Sequence, residues 1–377
     1  MKRKNKMSEW ILPGKMDIGF LVLVLVLLII GLLMLFSASY PYAEAYFNNS
    51  YHFILRQSIF AVGGVVLMLF ISKFNFNKYK KFAWILYIAI NLILLILLIM
   101  PAQIMGVKRW LVIGSFSFQP SEIAKFSIIL LFSALIARHH QVMQNAKFGI
   151  LFLGGLLAVT CLLVILEPHL SATVLIAAIG LFLMFVGGIK IKYVIVGVAG
   201  ISVAGIIFAL SGALSYVADR LEYWFNPWAD ASGKGYQTIQ SLLAIGSGGI
   251  MGRGFGKSRQ KYLWLPEPHN DFIFSIVCEE LGLIGACIII ALFCALIYRG
   301  FVVAMRCPDK FGSLLAFGVT MQLALQVLLN ILVVTNTIPN TGISLPFFSY
   351  GGTSLVILLM QMGVILAVSR TSTIEKT

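Results

Sequence analysis

Apolar residues run along this chain in long blocks, broken by short polar or glycine-rich stretches, without the every-second-residue alternation of a half-buried strand. Ten blocks are long enough to cross a hydrocarbon core of about 30 Å as a helix. They lie near residues 18–36, 55–72, 82–100, 120–137, 148–166, 171–187, 193–211, 271–297, 313–335 and 351–369. This predicts an all-α polytopic membrane protein of about ten transmembrane helices, arranged as a single membrane domain over 1–377. A transmembrane barrel is excluded, because its strands alternate apolar and polar residues.

One connection departs from the short loops found elsewhere. Residues 212–270 separate the seventh and eighth blocks and are rich in Trp, Tyr, Leu and Ile, so disorder is the weaker expectation. Parts of this segment, such as 239–245, are candidates to lie in the interface or dip into the membrane.

Charge sets the orientation. Most Lys and Arg flank the apolar blocks, and placing the N-terminus in the cytoplasm puts Lys2, Arg3, Lys4, Lys6, Lys15, the cluster 73–81, Arg138, Lys147, Lys190, Lys192, Arg299, Arg306, Lys310, Arg370 and Lys376 on that side. The opposite short connections 39–54, 167–170 and 337–350 then hold no Lys or Arg. Both termini, 1–17 and 370–377, are therefore expected in the cytoplasm, and the long loop 212–270 outside. Composition agrees with a lipid solvent: 60% hydrophobic residues, 11% charged and a mean hydropathy of +0.96. The formal net charge of +14 reads as a topology signal and not as nucleic-acid binding. Five cysteines without metal-ligand spacing give neither a disulfide framework nor a metal site.

The long loop carries Arg220, Lys234, Arg253, Lys257, Arg259 and Lys261 outside, against the orientation bias. Long loops translocate regardless of charge, which is one explanation; an anionic ligand is the other. In GRGFGKSRQKYLWLPEPHNDF, glycines at 252, 254 and 256 free the backbone beside Lys257, Arg259 and Lys261, an arrangement suited to phosphate or pyrophosphate. Asp271 follows directly, at the outer end of the eighth block, where it serves as an N-cap, a general base, or both. Glu279 and Glu280 lie roughly 12 Å deeper at 1.5 Å per residue, and intramembrane carboxylates are functional or paired.

Further candidates stand elsewhere. QPSEIAK opens the fourth block with Pro120 in a first turn and Glu122 and Lys125 on one face, either neutralising each other or leaving Lys125 toward a cavity. Lys108, Arg109 and Trp110 form a basic-aromatic cluster readable as an interface anchor or as part of the site. Gln322, Gln326 and Asn330 make a polar stripe suited to interhelical hydrogen bonds or a cavity wall. TGISLPFFSYGGTS, at 341–354, offers Ser349, Gly351 and Ser354 to a head group, or forms a rigid turn.

Together, QPSEIAK, NPWADASGKGYQTIQS, GSGGIMGRGFGKSRQKYLWLPEPHNDFIF, EELGLIG and TGISLPFFSYGGTS resemble the SEDS family (shape, elongation, division, sporulation) over nearly the whole chain. SRQK and LPEPHNDF look more like its FtsW and SpoVE branch than like RodA. The resemblance implies a glycosyltransferase polymerising lipid II, the undecaprenyl-pyrophosphate disaccharide, onto a glycan chain outside the bacterial cytoplasmic membrane, at the division septum or in sporulation. A class B penicillin-binding protein and other division proteins would be its partners. A lipid II flippase and a non-catalytic divisome scaffold are the alternatives.

It implies that Asp271 is catalytic and that Glu122 and Lys125 are functional. At 167–173, where the family often has an Asp after the Pro, this chain has His169. On this reading Asp271 takes the proton of the attacking sugar hydroxyl. Lys125, Arg109, Arg220, Lys257, Arg259 and Lys261 offset charge on the departing pyrophosphate, with Gln260 and His269 completing the substrate-binding set. A divalent cation (Mg2+ or Mn2+) can share that work, though no clustered carboxylates call for one.

Overall fold

A computed structural model of the chain describes residues 12, 14–100, 109–113, 116–145, 147–193, 195, 197, 199–200 and 222–371. Uninterrupted apolar blocks satisfy every backbone group internally only as helices, and helices dominate. In chain order they are α1 (Ile18–Phe47), α2 (His52–Ile71), α3 (Ala83–Ile99), α4 (Pro120–His139), α5 (Gly155–Leu166), α6 (Leu170–Val186), α7 (Tyr236–Gly248), α8 (Ile273–Arg306), α9 (Lys310–Val334) and α10 (Gly352–Ser369). A 3-10 turn, Phe76–Phe82, leads into α3, and a π-helical turn, Lys147–Gly154, leads into α5. With these turns, eight helices among the described residues are long and apolar enough to span a membrane, and Leu170–Val186 is a shorter apolar one. The expected span at 193–211 falls largely outside the described residues.

Three features depart from the expectation. Residues 111–113 and 116–118 pair as a small antiparallel hairpin, β1 and β2, with Val112 opposite Ser117, so the fold is helical but not purely so. α1 continues past residue 36 to Phe47, through Pro41. The long loop contains its own helix, α7, which packs along α8.

Caps fix several ends. Asp17 caps α1 by accepting from the Phe20 amide at 2.9 Å and pairs with Arg299 of α8. Asp309 caps α9 through the Gly312 amide at 3.0 Å, and Pro120 occupies the first turn of α4. α4, α9 and α10 are the most buried spans, while α2, α3 and α5 turn broad apolar faces outward. α2 lies against α10, α1 against α8, and α4 against α3, α6 and α9.

α8 is broken. Gly282 adopts φ 67° and ψ −170° inside it, which releases the carbonyls of Glu279 and Glu280 and the amides of Leu283 and Ile284 from the helical ladder. The segment after α7 takes all four: Arg253 N and Gly254 N donate to Glu279 O and Glu280 O at 3.0 Å, and Gly249 O and Ile250 O accept from Leu283 N and Ile284 N at 2.9 and 3.2 Å. A helix opened in this way is tolerated in a membrane protein because other protein backbone satisfies the freed groups. The approach requires glycine on both sides, since a Cβ on Gly252 would sit 2.3 Å from Glu280 O and one on Gly282 2.2 Å from Gly252 N.

Candidate functional site

The turn that carries Asp271 is held by three successive main-chain carbonyls. His269 O accepts from Tyr350 N at 2.8 Å, Asn270 O from the Ser349 hydroxyl at 2.9 Å, and Asp271 O from the Asn330 amide at 2.8 Å. Ser349 Oγ also accepts from Leu345 N at 2.8 Å, so the 341–350 segment is folded onto the turn. Asp271 is half-buried just before α8, whose N-cap position falls on Phe272 without a side-chain cap bond. Its Oδ2 faces Gly342, where a Cβ would stand only 3.2 Å away.

His269 is buried against Tyr42, Phe53 and Tyr350, with ring centroids 5.1, 4.3 and 6.0 Å away. Burial lowers its pKa to about 4, so the imidazole is neutral near pH 7 and packs as an aromatic ring. Gln57, buried in α2, braces the other end of the segment: its Nε2 donates to Ser349 O at 3.3 Å, and its Oε1 accepts from Gly351 N at 3.2 Å. Ser354 Oγ donates to Gly351 O at 2.9 Å.

Two carboxylates organise the basic loop. Glu280 accepts from Lys261 Nζ at 2.8 Å, Ser37 Oγ at 2.7 Å, Gly256 N at 2.9 Å and Ser258 N at 3.3 Å. Glu279 accepts from Ser258 Oγ at 2.5 Å, Arg259 N at 2.9 Å and Gln260 N at 3.3 Å, with Arg253 Nε at 3.6 Å. The glycine-rich backbone thus wraps the protein's own carboxylates, and Lys261 is fully buried on Glu280. Lys257 and Arg259 remain exposed on the same loop, flanked by the exposed side chains of Phe255, Tyr262 and Trp264.

Glu122 and Lys125 form an ion pair at 2.7 Å in the first turns of α4, with the lysine buried. Glu122 lines a small, partly open cavity, together with Gln322, Gln326, Ser349, Ser354 and Gln361. Gln322 Nε2 donates to Gln361 Oε1 at 3.1 Å, joining α9 to α10. The Ser349 that lines this cavity is the one bonded to the Asp271 turn, so the cavity and the turn share a wall.

Arg109 donates to the carbonyls of Glu167, at 3.3 Å, and Pro168. Beside it, Glu167 is buried with no hydrogen bond to either carboxyl oxygen, and burial pushes its pKa up to about 8 against the opposing pull of Arg109. His169 Nδ1 lies 3.3 Å from Gln119 Nε2 and 3.4 Å from Ser121 Oγ. Arg220 is outside the described residues. Among the described residues no three His, Cys, Asp or Glu side chains gather as a metal site.

The structure therefore brings Asp271, His269 and Ser349 to one turn, Gly351 and Ser354 to its far end, and Glu122 with Lys125 to the adjoining cavity. It wraps the Arg259 and Gln260 amides on Glu279 and the Lys261 ammonium on Glu280, and leaves the Lys257 and Arg259 side chains exposed. Gln57, Ser37 and Gly342 escaped the sequence reading. The signal for Gln57 was a carboxamide inside an apolar block, which is costly unless bonded, but its partners lie almost the whole chain away.

A polytopic helical bundle with a clamped carboxylate turn at the start of α8 and a glycine-rich loop wrapped on Glu279 and Glu280 is the class that fold and site define. The family model for FtsW, RodA and SpoVE, described as cell cycle protein, matches residues 18–374, and the chain belongs to that family. Stage V sporulation protein E of Bacillus subtilis is 39% identical over 94% of this chain and 97% of its own length. A probable peptidoglycan glycosyltransferase FtsW of Geobacter metallireducens is 33% identical over 94% of each. Among solved structures, a chain from a peptidoglycan synthase complex superposes with a TM-score of 0.77 at 28% identity, covering 94% of this chain and 98% of that one. The rod shape determining protein RodA of Thermus thermophilus superposes at 0.70 with 27% identity, covering 95% and 98%.

Proposed function

We propose that this protein is a peptidoglycan glycosyltransferase of the bacterial inner membrane that polymerises lipid II at the outer face, with both termini in the cytoplasm. The names of its relatives and the synthase-complex neighbour support the activity. The observation that carries the assignment of the site is the clamp on residues 269–271. Three donors from the 330–350 region hold the main chain of one carboxylate-bearing turn, which is the preorganisation that proton transfer requires.

The sugar 4-hydroxyl of one lipid II attacks the anomeric carbon of a growing chain held by undecaprenyl pyrophosphate. The new bond is O4–C1, the C1–O bond to pyrophosphate breaks with inversion, and the hydroxyl proton passes to the Asp271 carboxylate. The pyrophosphate leaves with the bonding pair. Lys257 and Arg259, whose side chains are exposed on the loop, would offset its charge, with Arg220 as a third candidate. Lys261 and Lys125 act differently, since each is neutralised by a glutamate of its own. They hold the loop and the cavity wall in shape.

A class B penicillin-binding protein supplies the cross-linking partner, and the FtsW and SpoVE relatives favour a septal or sporulation setting. The test is polymerisation of labelled lipid II by purified protein in detergent, with and without that partner. Glycan strands made there support the enzyme. Their absence with an active partner present, alongside lipid II translocation in vesicles, would favour a flippase.

A further inference from the structure

We infer that Asn330 is the positioning residue for Asp271, an inference that rests on Asp271 being the base. Asn330 stands in the last turns of α9 and is fully buried. Its amide nitrogen donates to two carbonyls at once, Asp271 O at 2.8 Å and Ile343 O at 2.7 Å. Both neighbours are acceptors only, which fixes the amide orientation: the NH2 end lies between them.

The two carbonyls belong to different loops. One is the turn that presents Asp271; the other directly follows Gly342, whose Cα is the surface facing Asp271 Oδ2. A single carboxamide therefore sets the separation between the carboxylate and the wall opposite it. Gln322, two turns inward on the same stripe, does something else, because it pairs with Gln361 from helix to helix. The stripe thus divides into a packing contact at its inner end and a loop clamp at its outer end. Keeping a buried asparagine here with Oδ1 unbonded costs stability, which is the expense of a polar group retained for geometry.

Removing the donor takes away one of the three ties on the 269–271 turn, the one on the Asp271 carbonyl itself. Asn330→Ala is expected to lower kcat roughly 10- to 100-fold, the scale of a misplacement near 1 Å, while KM for lipid II stays within about threefold. Asn330→Asp keeps the size but donates only when protonated. Its rate relative to wild type at the same pH should recover as pH falls from about 8 toward 5, and Asn330→Ala should show no such recovery.

The measurement is polymerisation rate against pH and lipid II concentration, with the folded fraction of each variant determined in detergent. Wild-type kcat in Asn330→Ala overturns the inference. So does a loss no larger than the loss of folded protein, or one equal in Asn330→Asp and Asn330→Ala at every pH. If instead Asp271→Asn polymerises like wild type, the assignment of the base fails first, and that outcome is distinct from the others.

Discussion

Lys261→Met tests how the cationic loop is held. The Lys261 ammonium and Glu280 carboxylate are both inaccessible to solvent and 2.8 Å apart. At an effective dielectric of about 20, such a pair attracts by roughly 6 kcal/mol. Desolvation offsets much of this, so the pair adds little over two well-packed neutral side chains. Removing one member is another matter. Glu280 would keep only Ser37 Oγ and the Gly256 and Ser258 amides, three neutral donors around a buried charge. The expected cost is about 3–5 kcal/mol. The double variant Lys261→Met/Glu280→Gln removes both charges and should recover most of that loss, with a coupling of roughly 3 kcal/mol.

Equilibrium unfolding of the four proteins in detergent gives the cycle, and polymerisation reports whether Lys257 and Arg259 keep their places. If Lys261→Met unfolds within about 0.5 kcal/mol of wild type, the Lys261–Glu280 pair is not the anchor of the loop.

Two further outcomes follow from the same turn. Gly342 combines φ 70° with close approach to Asp271 Oδ2. Gly342→Ala should cost about 1–2 kcal/mol from the left-handed backbone and also depress the polymerisation rate at unchanged partner binding; a wild-type rate would contradict the placement of that wall. For His269 the folded pKa of about 4 lies below the ordinary 6.5, so the unfolded chain takes up a proton first as pH falls. Stability should therefore decline from pH 6.5 down to about 4, by about 3 kcal/mol in all. His269→Phe, which suits the cage of Tyr42, Phe53 and Tyr350, should flatten that limb of the unfolding profile; an unchanged acid limb would refute it.

The spans were legible because the lipid solvent writes length and composition into each one: α4, α6, α9 and α10 begin and end within a few residues of their apolar blocks. The extension of α1 was not, since SASYPYAEAYF breaks the apolar block and contains Pro41, and its contacts with Glu280, Tyr262 and His269 lie far along the chain. The break at Gly282 was equally hidden. One glycine in an apolar block is ordinary, and only the returning 249–254 segment makes it necessary.

The site divided in the same way. Asp271, Glu122 and Lys125 stood out by residue type against apolar surroundings. The sequence could not separate Lys261, which faces inward, from Lys257 and Arg259, because the sorting is done by Glu279 and Glu280 across the fold. Nor could it show that Asn330 reaches two loops while Gln322, on the same face, reaches a helix.

In the proposed mechanism the Asp271 carboxylate takes the proton of the attacking hydroxyl. Asp271→Asn keeps the shape of the side chain and leaves the backbone clamp available, so the purified variant should fold, bind its transpeptidase partner and bind lipid II like wild type. Loss of a general base is worth about 100- to 10,000-fold, and no strands should form in the time that wild type consumes its lipid II. Polymerisation by Asp271→Asn at a rate near that of wild type would rule out Asp271 as the base.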